Sequence, residues 1–110
     1  MGLFASPAYA VTSECTFSDP SYACQTGNIV ANSTYHAVAA TATAYASPVT
    51  CYVYDRITQA EVGIVRDDNK GLSTTIVIRG LYGTYWMNCV SSGAQRYASG
   101  ALSNDSWKVD

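Results

Sequence analysis

Hydrolytic and group-transfer chemistry needs a nucleophile, a base and a group that orients the base, and this sequence offers little of each. Its one histidine is His36, and no serine stands in a G-x-S-x-G elbow. The acidic residues Glu14, Asp19, Asp55, Glu61, Asp67, Asp68, Asp105 and Asp110 could in principle supply the carboxylate pair of a glycosidase. Nearly all of them fall in tails or turns, where acidic groups are ordinarily just solvated. Asp67-Asp68-Asn69 lacks the alternating acidic order and the closing glutamate of a calcium loop, so it reads as part of the turn Asp67-Asp-Asn-Lys-Gly71. No glycine motif for a phosphate is present. The expectation is a non-enzyme with no catalytic residue, no cofactor and no metal.

Cysteine chemistry points to structure rather than catalysis. The chain has four cysteines, Cys15, Cys24, Cys51 and Cys89, with no C-x-x-C pair and with His36 far from any ligand-like spacing. Four cysteines in a short chain imply two disulfides formed in an oxidising compartment. Three pairings are open, and the spacing favours sequence neighbours, Cys15 with Cys24 and Cys51 with Cys89. In the chain-entropy description a closed loop of about 40 residues contributes about 4 kcal/mol, and one of about ten residues about 2.5 kcal/mol. Both are large beside a domain stability of about 5–15 kcal/mol.

The remaining feature is aromatic. Nine tyrosines, two tryptophans and two phenylalanines exceed the needs of one small core. Tyrosine and tryptophan give contact area at small entropic cost and are enriched at binding hot spots. Which of them are free to bind depends on the elements that carry them.

Those elements read as strands. Cys51–Arg56, Ala60–Arg66, Ser73–Arg79 and Thr84–Cys89 are rich in β-branched and aromatic residues, separated by polar or glycine-bearing turns. Asp55–Gln59, Arg79–Gly83 and Ser91–Gln95 are further turns, and a last strand is expected over Arg96–Leu102. Tyr35–Ala46 is alanine-rich, yet its threonines alternate at period two and it shows no helical apolar stripe, so it is expected to be a long strand carrying His36. Ser47-Pro48 ends it. The expected fold class is all-β: an immunoglobulin-like, Greek-key β-sandwich of about six or seven antiparallel strands with two disulfides. If Cys51 and Cys89 point inward, so do Val53, Tyr85 and Met87, with Val62, Ile64, Ile76 and Ile78 completing the core. Tyr52, Tyr54, Trp86, Asn88 and Val90 then face out. The rival reading places these aromatics under the segment Cys15–Asn32.

Length and charge bound the rest. At 110 residues the chain fits a single domain over residues 11–110. Residues 1–10, ending Ala8-Tyr9-Ala10, read as the residual tail of a secretory signal peptide or else a flexible N-terminus. Hydrophobic residues make up 48% and charged residues 13%, with a formal charge of −2 and six scattered cations. Such a chain has no basic footprint, so nucleic acid is excluded as a partner. No apolar run approaches the roughly eighteen residues of a membrane span, so no membrane insertion is expected. Two N-glycosylation sequons, Asn32-Ser-Thr34 and Asn104-Asp-Ser106, would matter only in a eukaryotic secretory pathway.

Cys51-Tyr52 opens the second cysteine pair, and Tyr82-Gly83, Tyr85 and Cys89 lead to its end. In this stretch, and in its two sequential disulfides, the chain resembles the actinobacterial α-amylase inhibitors of the tendamistat type. That family inhibits through a Trp-Arg-Tyr triplet on a hairpin. This sequence has Gln95-Arg96-Tyr97 without the tryptophan, so the inhibitory residues do not carry over. The chain also looks broadly like small secreted immunoglobulin-like proteins of actinobacteria, including accessory subunits of toxin assemblies.

The expectation for function is a secreted, extracellular, non-enzymatic module that binds another extracellular protein, as an adaptor or accessory subunit of an assembly. It would act through an aromatic face or a sheet edge, with Tyr52, Tyr54, Trp86, Asn88, Arg96 and Tyr97 as binding residues. The alternative is an inhibitor of an extracellular hydrolase such as an amylase or protease, presenting the turn Gly93–Tyr97. A carbohydrate-binding protein or small secreted toxin is a third reading, because tyrosine and tryptophan faces also stack on sugars.

Overall fold

The computed structural model describes residues 10–68 and 72–110. Within them the chain forms nine strands: β1 (Thr12–Ser18), β2 (Ala23–Gln25), β3 (Ile29–Val30), β4 (Ala37–Ala44), β5 (Val49–Asp55), β6 (Glu61–Asp67), β7 (Ser73–Arg79), β8 (Thr84–Val90) and β9 (Tyr97–Ser103). One short helix, α1 (Ser106–Val109), follows. All paired strands are antiparallel, in two sheets. Sheet A runs β1-β9-β4-β7; sheet B runs β2-β8-β5-β6, with β3 also on β8. The fold is an all-β sandwich with Greek-key connectivity: the chain crosses between sheets at most connections, and β9 is inserted between β1 and β4.

The strand count differs from the expected six or seven because residues 12–30 supply three strands that lack a clear hydrophobic alternation. β1 is held by register to β9, and β2 and β3 share the edge of β8 across a break at Thr26. There the Thr26 amide donates to the Met87 carbonyl and the Thr26 hydroxyl accepts from the Met87 amide. The signal-peptide reading of residues 1–10 lies outside the described residues except for Ala10, as does the Asn69–Gly71 part of the expected turn.

β4 shows why alanine need not mean helix. Helix propensity is a preference of a few tenths of a kcal/mol per residue, which tertiary context readily overrides. Here β4 has hydrogen-bonded partners on both sides, β7 and β9. Val38, Ala40, Ala42 and Ala44 face the core, while the small side chains of Ala37 and Ala39 let Val109 of α1 pack on the opposite face. His36 is not part of this strand, contrary to expectation. It sits just before it at φ 51°, in the left-handed region, and its ring stacks on Tyr82 at 4.3 Å.

Both disulfides join sequence neighbours, and the two play different parts. Cys15–Cys24 links the edge of sheet A to the edge of sheet B, Cα to Cα 5.8 Å. Cys51 and Cys89 are directly opposed on adjacent strands of sheet B, Cα to Cα 4.0 Å, and both are fully buried. Their sulfurs fill space that the facing sheet must leave open, and Gly100 of β9 leaves it: a Cβ there would lie 2.3 Å from the Cys89 sulfur.

The inward residues Val53, Tyr85 and Met87 are in the core as expected, and Ile76 and Ile78 pack against it. Ile64 is the exception. Between Val53 and Tyr54 the pairing with β6 shifts, so Val53 meets Gly63 and Tyr54 meets Glu61, leaving Val62 as the extra residue of a β-bulge. Val62 packs partly on the core, the inward positions become Gly63, Val65 and Asp67, and Ile64 turns outward at 50% exposure. Gly63 also makes room for Ile78 from the other sheet, whose Cδ1 would lie 2.4 Å from a Cβ.

Asp67 likewise departs from the reading of a solvated turn residue. It ends β6, is buried, and accepts hydrogen bonds from the Ala44 amide at 2.8 Å and the Thr74 hydroxyl at 3.0 Å. It therefore ties sheet B to sheet A at that end of the sandwich.

Two carboxylates, the half-buried Asp55 and the exposed Asp19, organise turns. Asp55 accepts from the Thr58 and Ile57 amides at 2.9 and 2.8 Å, and these bonds, Thr58 first, hold its pKa below 3.8. Asp19 is held below 3.8 by the Arg96 amide and then by the Arg96 guanidinium. In both cases folding favours the ionised form. Their contribution is thus complete above the unfolded value near 3.8 and is lost as pH falls through the lower folded value. As far as these two groups contribute, urea-unfolding midpoints measured across pH are expected to hold above about pH 5 and to fall as pH drops below about 4, with Asp19→Asn removing part of that fall.

Candidate functional site

Strand alternation decides which aromatics reach solvent. On β5, Tyr52 and Tyr54 alternate with the buried Cys51 and Val53; on β8, Trp86, Asn88 and Val90 alternate with the buried Tyr85, Met87 and Cys89. Register then sets neighbours: Tyr52 is opposite Asn88, and Tyr54 is opposite Trp86. The Tyr54 and Trp86 rings stack with centroids 4.9 Å apart and planes 29° apart. Outside this pair, β6 places Ile64 beside Tyr52, and β2 places Gln25 beside Asn88. The row Ile64, Tyr52, Asn88, Gln25 therefore crosses β6, β5, β8 and β2 on the outer face of sheet B. Tyr52, Tyr54, Trp86 and Asn88 are each half-buried, and the segment Cys15–Asn32 supplies edge strands beside them, with Gln25, Thr26 and Asn28 lining a hollow next to Trp86 and Tyr22 facing the groove at Tyr52.

Of the two other residues expected with this group, one lies on the opposite sheet and one at the margin of this face. Tyr97 lies on the outer face of sheet A, where its ring packs on Tyr45 at 4.6 Å. That face otherwise carries a ladder of mutually bonded hydroxyls, Thr41 with Thr75 at 2.8 Å and Thr43 with Ser73 at 2.6 Å. Arg96 precedes β9 at one end of sheet B's face, its Nε donating to Asp19 at 2.8 Å. The turn Gly93–Tyr97 is thus tied down at Arg96 and stacked at Tyr97.

At that end the face deepens into a groove of about 660 Å³, walled by Tyr22, Pro48, Tyr52, Arg66, Ser91 and Arg96 among others. Arg66 is fixed by the Thr50 hydroxyl at 3.1 Å and by Asp68 at 2.9 Å. Sequence reasoning missed Tyr22, Ile64 and Arg66 as surface neighbours of Tyr52. Ile64 and Arg66 share a face with each other by alternation, but only the bulge at Val62 turns that face outward. Nothing local marks Tyr22, which arrives through the β1–β2 connection.

Among the described residues no group of three or more His, Cys, Asp or Glu side chains could hold a metal ion, and no helix is long and apolar enough to cross a membrane. All four cysteines are in disulfides.

No protein-family model matches this chain, and no curated protein matches it. Among solved structures it is similar to a protein from the study of Bacillus endospore appendages, described as a novel family of disulfide-linked pili. Identity is 16%, with 86% of this chain and 84% of that chain covered and a TM-score of 0.45. Backbones that superpose this loosely place no side chain of one protein on a functional position of the other.

Proposed function

We propose that the protein is an extracellular, non-enzymatic binding module that holds another protein against the outer face of sheet B. The observation that carries this reading is the placement of Tyr52, Tyr54 and Trp86 together with Ile64 on one solvent-facing sheet surface. Tyrosine and tryptophan anchored on rigid strands lose little side-chain entropy when covered, and the polar Asn88 and Gln25 beside them supply directional hydrogen bonds. The disulfides support an oxidising, extracellular setting. An adaptor or accessory subunit needs only such a face.

The test is capture of partners from culture supernatant by immobilised protein. Replacing Tyr52, Tyr54 and Trp86 together by alanine is expected to weaken capture at least tenfold, since a single hot-spot aromatic contributes about 2 kcal/mol or more. Thermal unfolding should move little by comparison with the buried positions discussed below. Undiminished capture by the triple variant would overturn the assignment of the face.

A further inference from the structure

We propose that the groove between Tyr22 and Tyr52 is a saccharide site that takes a short, carboxylate-bearing oligosaccharide. The groove's volume of about 660 Å³ lies within the roughly 300–1,000 Å³ of small-ligand sites. It is also held in shape before any ligand arrives. The Arg96 guanidinium and amide bind Asp19, the Asp19 amide donates to the Arg96 carbonyl at 2.9 Å, and the Ser91 amide donates to the Tyr22 carbonyl at 3.0 Å. These bonds lock the loop before β9 to the turn that carries Tyr22, and the Cys15–Cys24 bond pins the strand that follows it.

The chemistry of the walls fits an acidic sugar. Tyr22 is 65% exposed, and with Tyr52 it offers ring faces for the C–H surfaces of pyranose rings. A guanidinium has five N–H donors. Arg66 directs its Nε to Asp68 and one Nη1 proton to Thr50; Arg96 directs its Nε to Asp19 and one Nη2 proton to the Pro20 carbonyl. Among the described residues the other donors of each make no further hydrogen bond, and a guanidinium fork matches a carboxylate in two-point geometry. Asp19 and Asp68 do not line the groove; each pairs with its arginine from outside it and offsets that arginine's charge, so preference for a carboxylate rests on the remaining guanidinium N–H donors rather than on net positive charge. A protein partner is better served by the neighbouring stacked face of Tyr54 and Trp86. A concave cleft with aromatic walls and fixed N–H donors suits a small polar ring.

The test is a calorimetric or NMR titration of the full chain with tri- and tetrasaccharides of galacturonate, mannuronate and glucuronate, beside their methyl esters. At least one acidic oligomer is expected to bind with a Kd of about 1 mM or tighter, and its ester at least tenfold more weakly. Arg66→Gln and Tyr22→Ala, both at exposed positions, should each weaken binding tenfold or more while leaving the thermal midpoint in place. No binding of any acidic oligomer at about 10 mM would overturn the proposal. So would equal binding of the esters, or binding that survives both substitutions. Tyr52 belongs to both sites, but neither Arg66→Gln nor Tyr22→Ala touches Tyr52, Tyr54 or Trp86, so loss of saccharide binding in these two variants with protein capture retained separates the two results.

Discussion

Gly100→Ala is expected to lower the thermal midpoint by about 10 °C or more, although alanine is ordinarily the better strand residue. The reason is steric. Gly100 sits on β9, facing the Cys51–Cys89 pair across the sandwich, and a Cβ would lie 2.3 Å from the Cys89 sulfur, 3.0 Å from the Met87 Cε and 3.3 Å from the Cys51 sulfur. The sulfurs are covalently joined and buried, so they cannot swing aside as a free side-chain end would. Overpacking of this kind costs about 1–3 kcal/mol and occasionally more, and for a domain of this size each kcal/mol shifts the midpoint by about 4–8 °C. A double-mutant cycle isolates the cause. With Cys51 and Cys89 both replaced by alanine, the extra methyl should be accommodated and the Gly100→Ala penalty should shrink by at least half. A penalty unchanged in that background would show that the disulfide is not what excludes the methyl.

The second large effect is expected at Asn104. Its amide is buried and joins three parts of the chain: Oδ1 accepts from the Val11 amide at 2.7 Å, and Nδ2 donates to the Val30 carbonyl at 2.8 Å. Its own carbonyl accepts from the Asn32 side chain at 2.9 Å. Asn104→Ala removes both side-chain bonds and leaves the Val11 amide and Val30 carbonyl without those partners, an expected loss of about 2–3 kcal/mol in chemical denaturation. Asn104→Asp separates the two bonds: the acceptor for Val11 survives, but a carboxylate oxygen now faces the Val30 carbonyl. It should therefore also destabilise at neutral pH. An alanine variant as stable as the parent would remove Asn104 from this role. The same geometry revises the sequon at Asn104-Asp-Ser106. In the folded protein the nitrogen that would carry a glycan is engaged with Val30, and that of Asn32 is engaged with Asn104 and Ser106.

These two positions show where sequence reading stops. The strands from β4 onward are legible because their residues alternate and their turns carry Gly, Pro, Asn or Asp at short intervals. The facing of Tyr52, Tyr54 and Trp86 follows from Cys51 and Cys89 by parity alone. Parity fails at β6, where one bulged residue exchanges the two faces and sends Ile64 out and Asp67 in. It fails for β1, β2 and β3 for a different reason: β2 and β3 are only three and two residues long, and in β1 only Phe17 is buried, so no alternating apolar pattern is written into them.

By itself the sequence indicated the fold class, favoured two disulfides between neighbouring cysteines among three possible pairings, and offered an outward aromatic surface on the central strands of one sheet as one of two readings. These are local properties, set by residue type and period, and they hold wherever the strands end up. Only the tertiary structure decided that Cys51–Cys89 lies within one sheet while Cys15–Cys24 joins the two, and that Gly100 is small because sulfur lies opposite it. It also put Arg96 and Tyr22 together at the end of the face and moved Tyr97 to the other sheet. Those outcomes depend on which strands become neighbours across the sandwich. That choice is made by packing between residues far apart in the chain, and no short window of sequence contains it.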